Sequence, residues 1–319
     1  MERLIKKFFS VITFFSLLLA TIIFINSCKK SSSWHQTNLV YFDTVCEVNI
    51  FCPPHKFKEV QEKIHQVFSE IEKHFSPEIK DYSSPMVIEL FNKAKNIYEI
   101  SNGIFDLTVA PLSRLWGFRS GQHEVPGKEK IEAILPLIDM RQVSLERHQL
   151  VVPPGVELDW GGIAKGYGIG LAYQSLKDSG ISGGFLNAGG DLYCWGLNPE
   201  GKPWRIGIKH PRKSGFLGIL FLTDSAAATT GDYQRFFIKD GIRYHHVFDP
   251  RNGYPARGKQ SVTVIGPDPT LCDALSTALF ISKAPQEIIN HFPDYGAIIV
   301  DETGKLSFIG KKFPFQPMF

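Results

Sequence analysis

The order in which helical and strand patterns follow one another is the feature that most limits the fold of this chain. Apolar residues recur at three- and four-residue steps over 57–75 and 87–98, which predicts two long amphipathic helices. From Phe185 onward short β-branched and aromatic runs dominate, with helices at 270–283 and 286–291. Because these elements cluster in blocks and do not alternate, we expect an α+β fold, with a largely antiparallel sheet and flanking helices.

The middle of the chain adds shorter elements to this plan. Strands are predicted at 39–51, 142–152 and 156–160, and a glycine-rich turn at 161–162 leads into a helix that ends near Ser179. No Pro/Ser-rich linker follows residue 38. We therefore expect one domain over 39–319.

Composition narrows the class of protein. With 43% hydrophobic and 21% charged residues, the chain is that of a folded protein. A formal net charge of +3 without a Lys/Arg stripe leads us to expect no nucleic-acid partner. Cys46, Cys52, Cys194 and Cys272 show neither a CxxC pair nor zinc-site spacing, and we interpret them as small buried apolar residues.

The first 28 residues differ from the rest. A basic start is followed by a nearly unbroken apolar run from Phe8 to Ile25, which ends at Cys28 after the small residue Ser27. This pattern resembles a bacterial lipoprotein signal over 1–28, with Cys28 as the lipidated residue and a flexible tether over 29–38. An uncleaved membrane anchor is the alternative. Either interpretation tethers the domain outside the cytoplasm, with the lipid anchor in the bacterial cytoplasmic (inner) membrane.

A phosphate site is predicted around Asp159-Trp160-Gly161-Gly162-Ile163-Ala164-Lys165. A strand that ends in an acid, two glycines and a helix with a lysine in its first turn can hold a phosphate against backbone N–H groups and one cation. The stretch contains neither a Walker A motif nor a GxGxxG motif. Alternatively, the glycines serve only a tight turn and helix packing.

Two further clusters of glycine and acid follow, Asn187-Ala188-Gly189-Gly190-Asp191 and Ala228-Thr229-Thr230-Gly231-Asp232-Tyr233. Each is also what a turn at the end of a strand requires, and their repetition is what favours a site. His246 lies where a strand runs into a loop, a common position for a general base and also for an ordinary surface histidine.

Asp273 and Thr277 lie four residues apart on a predicted helix, so their oxygen atoms project from one face. Both side chains offer hard oxygen ligands, but two ligands cannot enclose a cation. A set this small suits Mg²⁺, because this ion keeps several waters and takes oxygens from a bound phosphate. A hydrogen bond along the helix face is the alternative interpretation.

Taken in order, these clusters closely resemble the ApbE family, flavin transferases that use FAD to attach FMN through a phosphoester bond to a Thr or Ser of a target protein. The similarity runs from about Tyr41 to the C-terminus. Besides the clusters above, it includes Phe42-Asp43-Thr44, Gly103-Ile104-Phe105-Asp106-Leu107-Thr108, Leu115-Trp116-Gly117-Phe118, the residues from His246 to Pro255, and Asp273-Ala274-Leu275-Ser276-Thr277-Ala278-Leu279.

The resemblance implies roles for individual residues. It assigns FAD to Ile104, Phe105, Asp106, Asp159 and Lys165, and places Phe42 where the family usually has a methionine near the flavin. It assigns Mg²⁺ to the Gly162 carbonyl, Asp273 and Thr277. It also places His246 by the flavin and the pyrophosphate, where it is our candidate for the catalytic base, with Asp159 and Asp191 as competitors.

The resemblance further implies an activity and partners. We expect Mg²⁺-dependent transfer of FMN from FAD to a Thr or Ser hydroxyl with release of AMP, and an acceptor that is a membrane redox pump subunit. This chain lacks the Asp-Gly-x-Ser/Thr-Gly-Ala-Ser/Thr acceptor pattern, which favours the enzyme over the flavin carrier. Hydrolysis of FAD to FMN and AMP is one alternative. A non-catalytic flavin-binding lipoprotein is the other.

Overall fold

A computed structural model of the chain describes residues 32–76 and 81–318. Within these ranges the predicted α+β class is confirmed, because helices and strands occur in blocks and all strand pairs are antiparallel. The predicted signal segment with Cys28, and positions 29–31 of the predicted tether, lie outside the described residues. No helix in the described ranges is both long and apolar enough to cross a bilayer.

An eight-stranded antiparallel sheet forms the centre of the domain. In spatial order its strands are β1 (Ser33–Tyr41), β2 (Thr44–Cys52), β5 (Gly183–Ala188), β6 (Asp191–Trp195), β9 (Ser225–Gly231), β12 (Lys259–Gly266), β13 (Gly296–Asp301) and β14 (Leu306–Gly310). A three-stranded sheet contains β7 (Trp204–Lys209), β8 (Phe216–Leu222) and β15 (Phe315–Pro317). Two separate hairpins are β3 (Ser144–Glu146) with β4 (Gln149–Val151), and β10 (Phe236–Lys239) with β11 (Ile242–His245).

The helices fall into long and short groups. The long ones are α1 (Pro54–Phe75), α2 (Pro85–Ile100), α5 (Ala164–Lys177) and α6 (Pro269–Ile281). The short ones are α3 (Ala110–Leu115), α4 (Lys128–Ile134) and α7 (Pro285–Ile289), with 3₁₀ turns at Leu107–Val109, Leu135–Leu137 and Met140–Gln142. The predicted stripe over 57–75 lies within α1, whose buried residues recur every three or four positions.

The central sheet is covered on both faces. Successive side chains of a strand point to opposite faces, so Ala226 and Ala228 of β9 join the core beneath the long helices, whereas Ala227 joins the core beneath the three-stranded sheet. These small side chains let α6 lie close to β9, and the Cys272 Sγ of α6 lies 3.9 Å from the Ala226 carbonyl oxygen. The predicted burial of the four cysteines in the described ranges is confirmed, and none forms a disulfide.

A smaller core around Trp116 fixes the β10–β11 hairpin to the rest of the domain. Trp116 is fully buried, and its indole N–H donates to the Gly253 carbonyl at 3.0 Å. Its ring lies 5.4 Å from that of Tyr244 on β11 and 6.0 Å from that of Phe248. These contacts hold the hairpin and the loop that follows His246 against α3.

Several predicted boundaries were wrong. The predicted tether over 29–38 is too long, because Ser33–Asn38 belong to β1, which pairs with β2 through a turn at Phe42 and Asp43 with φ of 57° and 54°. The predicted strand over 39–51 is therefore a hairpin. Because β1 is an edge strand with half-exposed side chains, it tolerates the polar residues that were interpreted as a tether.

The other errors also concern turns. The predicted strand over 142–152 is the β3–β4 hairpin, broken by a turn at Arg147 and His148 with positive φ. Residues 156–160 form no strand, although the Asp159 N–H donates to the Leu107 carbonyl at 2.6 Å. Thr229 and Thr230, for which a turn at a strand end was the alternative to a site, lie inside β9.

Gly166 allows α5 and α6 to cross at close range. A Cβ built on Gly166 would lie 2.2 Å from the Pro269 carbonyl oxygen, so Gly166→Ala should force the helices apart and lower the free energy of unfolding by about 1–3 kcal/mol. On the same helix a Cβ on Gly170 would make only ordinary contacts, the nearest at 3.4 Å. Gly170→Ala is therefore the matched control, and urea unfolding of both variants measures the difference. Equal stabilities would contradict this account of the helix crossing.

Candidate active site

Lys165 lies at the N-terminus of α5, at the point predicted for the phosphate site. Two hydrogen bonds fix the loop before it: Asp159 Oδ1 accepts from the Gly161 N–H at 2.9 Å, and Lys165 Nζ donates to the Gly161 carbonyl at 3.2 Å. The loop therefore presents its lysine and the start of α5 together. This arrangement matches the predicted combination of a cation with a helix N-terminus, although no strand precedes it.

Two buried carboxylates share this one ammonium group. Lys165 Nζ lies 2.9 Å from Asp191 Oδ2 and 3.9 Å from Asp273 Oδ2. Asp191 begins β6 and Asp273 lies on α6, and their side chains are only 6% and 5% exposed. Asp273 Oδ2 also accepts from the Gly166 N–H at 3.0 Å. The cluster therefore carries one more negative than positive charge in a buried place.

The pKa values reflect this charge balance. Burial disfavours the charged form of Lys165, but the attraction of Asp191 and Asp273 exceeds that effect and raises its pKa. Burial first, and then repulsion from Asp191, raise the pKa of Asp273, against the opposing charge of Lys165. An added cation beside Asp273 would relieve both of the effects that raise its pKa.

Gly162, Thr277 and Thr230 meet next to this cluster. A Cβ on Gly162 would lie 3.3 Å from Thr277 Oγ1 and 3.4 Å from the Phe105 ring, so the Gly162 backbone lies directly against the threonine. Thr230 Oγ1 of β9 lies 3.1 Å from Thr277 Oγ1 and 2.7 Å from Ser276 Oγ. The structure thus brings together Gly162, Asp273 and Thr277, the three residues predicted for Mg²⁺.

This donor set fits Mg²⁺. One carboxylate, one hydroxyl and a nearby backbone offer hard oxygen atoms beside an excess of negative charge, and Mg²⁺ completes such a set with waters and phosphate oxygens. In the part of the chain that the structure describes, no group of three or more His, Cys, Asp or Glu side chains is placed to hold a metal ion. A softer, protein-enclosed metal would need such a group.

His246 follows the last residue of β11 and is half-buried. Its Nδ1 lies 3.2 Å from the Arg235 carbonyl oxygen, and because a carbonyl only accepts, Nδ1 carries the proton and Nε2 is left unprotonated. Burial, with the positive charge of Arg235, lowers the pKa of His246 to about 4, against the opposing effect of Asp159. The imidazole is therefore neutral at neutral pH and able to accept a proton.

The remaining predicted FAD residues lie in different surroundings. Phe42 lies at the β1–β2 turn with its ring near α5, since a Cβ on Gly168 would lie 3.3 Å from Phe42 Cζ. Ile104 is buried, as is Phe105 beside Gly162. The Asp106 carboxylate is engaged within the chain: Oδ1 accepts from the Thr108 N–H at 2.7 Å and Oδ2 from the Met140 N–H at 3.2 Å.

Sequence reasoning missed two residues of this region. Thr230 was quoted only as part of a glycine-acid cluster, and its contact with Thr277 depends on how β9 packs against α6. Arg119 was not singled out, although it directly follows Leu115-Trp116-Gly117-Phe118. Its Nη2 lies 3.7 Å from Asp159 Oδ2, and this buried nitrogen has no hydrogen-bond partner among the described residues. Its position after a family motif is the signal that could have identified it.

Comparisons with known proteins identify a family for this chain. The model of the ApbE family matches residues 42–299. A protein named FAD:protein FMN transferase from Vibrio cholerae is 32% identical over 204 residues, which cover 62% of this chain and 61% of that protein. A protein of the same name from Klebsiella pneumoniae is 34% identical over 200 residues, which cover 61% of each.

A solved structure extends the similarity to the whole fold. The crystal structure of the ApbE protein from Thermotoga maritima has a TM-score of 0.80 to this chain at 32% identity, covering 87% of this chain and 97% of that one. The sequence matches to the two transferases span only 61% of their length. Because the family match nonetheless covers most of the sequence, this chain belongs to the ApbE family.

Proposed function

We propose that this protein transfers FMN from FAD to a Thr or Ser hydroxyl of an acceptor protein, with Mg²⁺, and releases AMP. Family membership and the names of the two relatives support flavin transfer. The observation that carries the proposal is the Lys165 ammonium group between Asp191 and Asp273, with Gly162 and Thr277 beside them. Phosphoryl transfer needs this kind of site, because its barrier lies in the charge on phosphoryl oxygens.

Lys165, together with a Mg²⁺ ion held by its neighbours, would position and neutralise the pyrophosphate of FAD. Lys165 supplies a fixed positive charge at the N-terminus of α5, held in place by two carboxylates. Asp273 and Thr277, with the Gly162 carbonyl, would hold Mg²⁺, which supplies further neutralisation of phosphoryl oxygens when bound. Phe42, which is half-buried, offers aromatic surface beside α5.

His246 acts as the base. The acceptor hydroxyl gives its proton to His246 Nε2 as its oxygen bonds to the FMN phosphorus, and the bond from that phosphorus to the bridging oxygen breaks, so that AMP leaves. Asp191 is less suited to this role because it is paired with Lys165 and lies 3.4 Å from the Thr229 N–H. Asp159 Oδ1 accepts from the Gly161 N–H at 2.9 Å, and Asp159 Oδ2 accepts from the Ser113 hydroxyl at 3.5 Å. Of the three candidates, only His246 presents an unengaged basic atom.

A mass measurement tests the proposed activity. The protein is incubated with FAD, Mg²⁺ and a purified acceptor domain that carries the Asp-Gly-x-Thr-Gly-Ala-Thr pattern. We expect the acceptor to gain the mass of FMN less one water, and AMP to appear in equal amount. An acceptor whose threonines are replaced by valine should gain nothing. Free FMN with AMP and an unchanged acceptor would indicate FAD hydrolysis, and unchanged FAD would indicate a flavin-binding protein.

We also propose that the domain is lipid-anchored through Cys28 on the outer face of the cytoplasmic membrane, close to a membrane redox pump subunit as acceptor. The support is the basic start, the apolar run and the Ser27-Cys28 junction. Cys28→Ser should prevent lipidation and processing in the native host, so that the protein accumulates as the unlipidated, full-length precursor. The neighbouring Ser27→Ala is the control and should still be lipidated and processed. Unchanged processing of Cys28→Ser would rule out lipidation at this residue.

A further inference from the structure

The β10–β11 hairpin leaves apolar side chains exposed beside His246. Ile238 is 61% exposed and Phe236 37%, and both lie on one face of the hairpin within ten residues of the proposed base. Ile242, 46% exposed, pairs with Lys239 on the other face near the turn. The opposite face of the hairpin is packed, because Phe237 and Tyr244 stack at 5.3 Å and adjoin Trp116 and Phe118. The hairpin is thus a fixed element with an uncovered apolar side, as expected of a contact surface.

Basic side chains surround this apolar side. Arg243 lies 3.9 Å from the Phe236 ring, and Arg257 lies 5.5 Å from the Tyr244 ring. The buried carboxylate of Asp232 accepts two hydrogen bonds from Arg212 and lies 3.7 Å from Arg243. Asp232 thereby links Arg212, in the loop after β7, to Arg243 on the hairpin. Within residues 235–246, the cations Arg235, Lys239 and Arg243 outnumber the single carboxylate, Asp240. A partner with acidic groups is the electrostatic complement.

The backbone of β10 is also available. The His246 N–H donates to the Arg235 carbonyl at 3.2 Å, and hydrogen-bonded pairs alternate along an antiparallel ladder. The backbone groups of Phe236 and Ile238 therefore point away from β11, and in the described ranges the hairpin has no third strand. An extended segment can pair along this edge, which leads directly toward Arg235 and His246.

We propose that the β10–β11 hairpin, with the basic side chains around it, is the docking surface for the acceptor protein and binds an extended, acidic segment next to the acceptor hydroxyl. The proposal rests on the proposed function, since an acceptor must bring its hydroxyl to His246. The apolar side chains supply buried area, the cations select an acidic partner, and the β10 edge aligns the segment with the base. FAD occupies the Lys165 side of the site, so the two substrates use different surfaces.

Two variants test the docking surface, Ile238→Glu on the apolar side and Lys239→Glu at its edge. We expect each to raise the KM for the acceptor domain by about tenfold or more, with FAD affinity unchanged in a flavin-fluorescence titration. Leu145→Glu and Lys202→Glu are matched controls, because both positions are similarly exposed and lie on other hairpins or turns. Raising the salt concentration should raise the wild-type KM and affect Lys239→Glu less.

Each outcome decides the proposal. Unchanged KM in both variants, with an active wild type, would overturn the docking surface and leave the proposed function standing. If the wild type transfers no FMN, the proposed function fails, and biolayer interferometry of acceptor binding then decides the docking surface by itself. Vesicles of phosphatidylglycerol and phosphatidylethanolamine provide the last comparison. If the two variants no longer bind these vesicles but keep the wild-type KM for the acceptor domain, the hairpin is a membrane contact and the proposal is overturned.

Discussion

Asp273→Ala should lower Mg²⁺-dependent FMN transfer by about 10²–10³-fold or more. The carboxylate is the charged member of the predicted magnesium set, and it also lies 3.9 Å from Lys165 Nζ. Its loss removes a metal ligand and disturbs the cation that faces the pyrophosphate. The measurement is the transfer rate as a function of Mg²⁺ concentration, with circular dichroism to show that the fold is retained.

A second substitution separates charge from structure. Asp273→Asn keeps an oxygen that can accept from the Gly166 N–H but removes the negative charge. This variant should therefore fold normally and lose as much transfer activity as Asp273→Ala. Thr277→Val removes only a neutral oxygen and should weaken magnesium affinity, with partial rescue by excess Mg²⁺. If both positions only brace α6, these variants would lower thermal stability and leave magnesium dependence alone. Full activity with unchanged half-saturation would remove both residues from the metal site.

His246→Asn is the second large effect, and we expect it to slow transfer by about 10²–10⁴-fold while FAD still binds. The amide nitrogen of asparagine can replace Nδ1 as a donor to the Arg235 carbonyl, but the side chain has no basic atom in place of Nε2. Single-turnover rates at saturating FAD and acceptor measure the chemical step. Fluorescence titration measures FAD binding separately.

The control for this prediction is an exposed histidine on a different hairpin. His148 lies in the β3–β4 turn with φ of 63°, a conformation that asparagine adopts readily, so His148→Asn should have wild-type rates. If His246→Asn instead loses FAD affinity and keeps its rate at saturation, His246 positions FAD and another group is the base. Asp159 would then be the next candidate to replace.

The local parts of the site could be predicted from the sequence because they depend on short-range geometry. The four-residue spacing of Asp273 and Thr277 places both on one side of any α-helix, and α6 confirms that helix. The two glycines before Lys165 likewise predict a loop that opens a helix, as found at α5. These inferences need only the period of a helix and the backbone freedom of glycine, which are independent of the rest of the fold.

Other features were outside the reach of sequence reasoning. β1 is half-exposed at a sheet edge, so its side chains carry no clear apolar period, and its strand forms because β2 pairs with it. The docking hairpin is similar. Its two strands are among the short β-branched and aromatic runs noted after Phe185, but which face is packed depends on Trp116 at the end of α3. Such exposure is a property of the neighbours of a strand and not of its own residues.

The sequence by itself determined the α+β class, the long helices and the residue types of a phosphate and magnesium site. Only the tertiary structure decided which of those residues meet. Lys165 pairs with Asp191 because β6 lies beneath α5, and with Asp273 because Gly166 lets α5 cross α6 against Pro269. Thr230 reaches Thr277 because the alanines of β9 admit α6. The physical reason is that local propensity acts within one element, whereas these contacts depend on side-chain volumes at the crossings between elements.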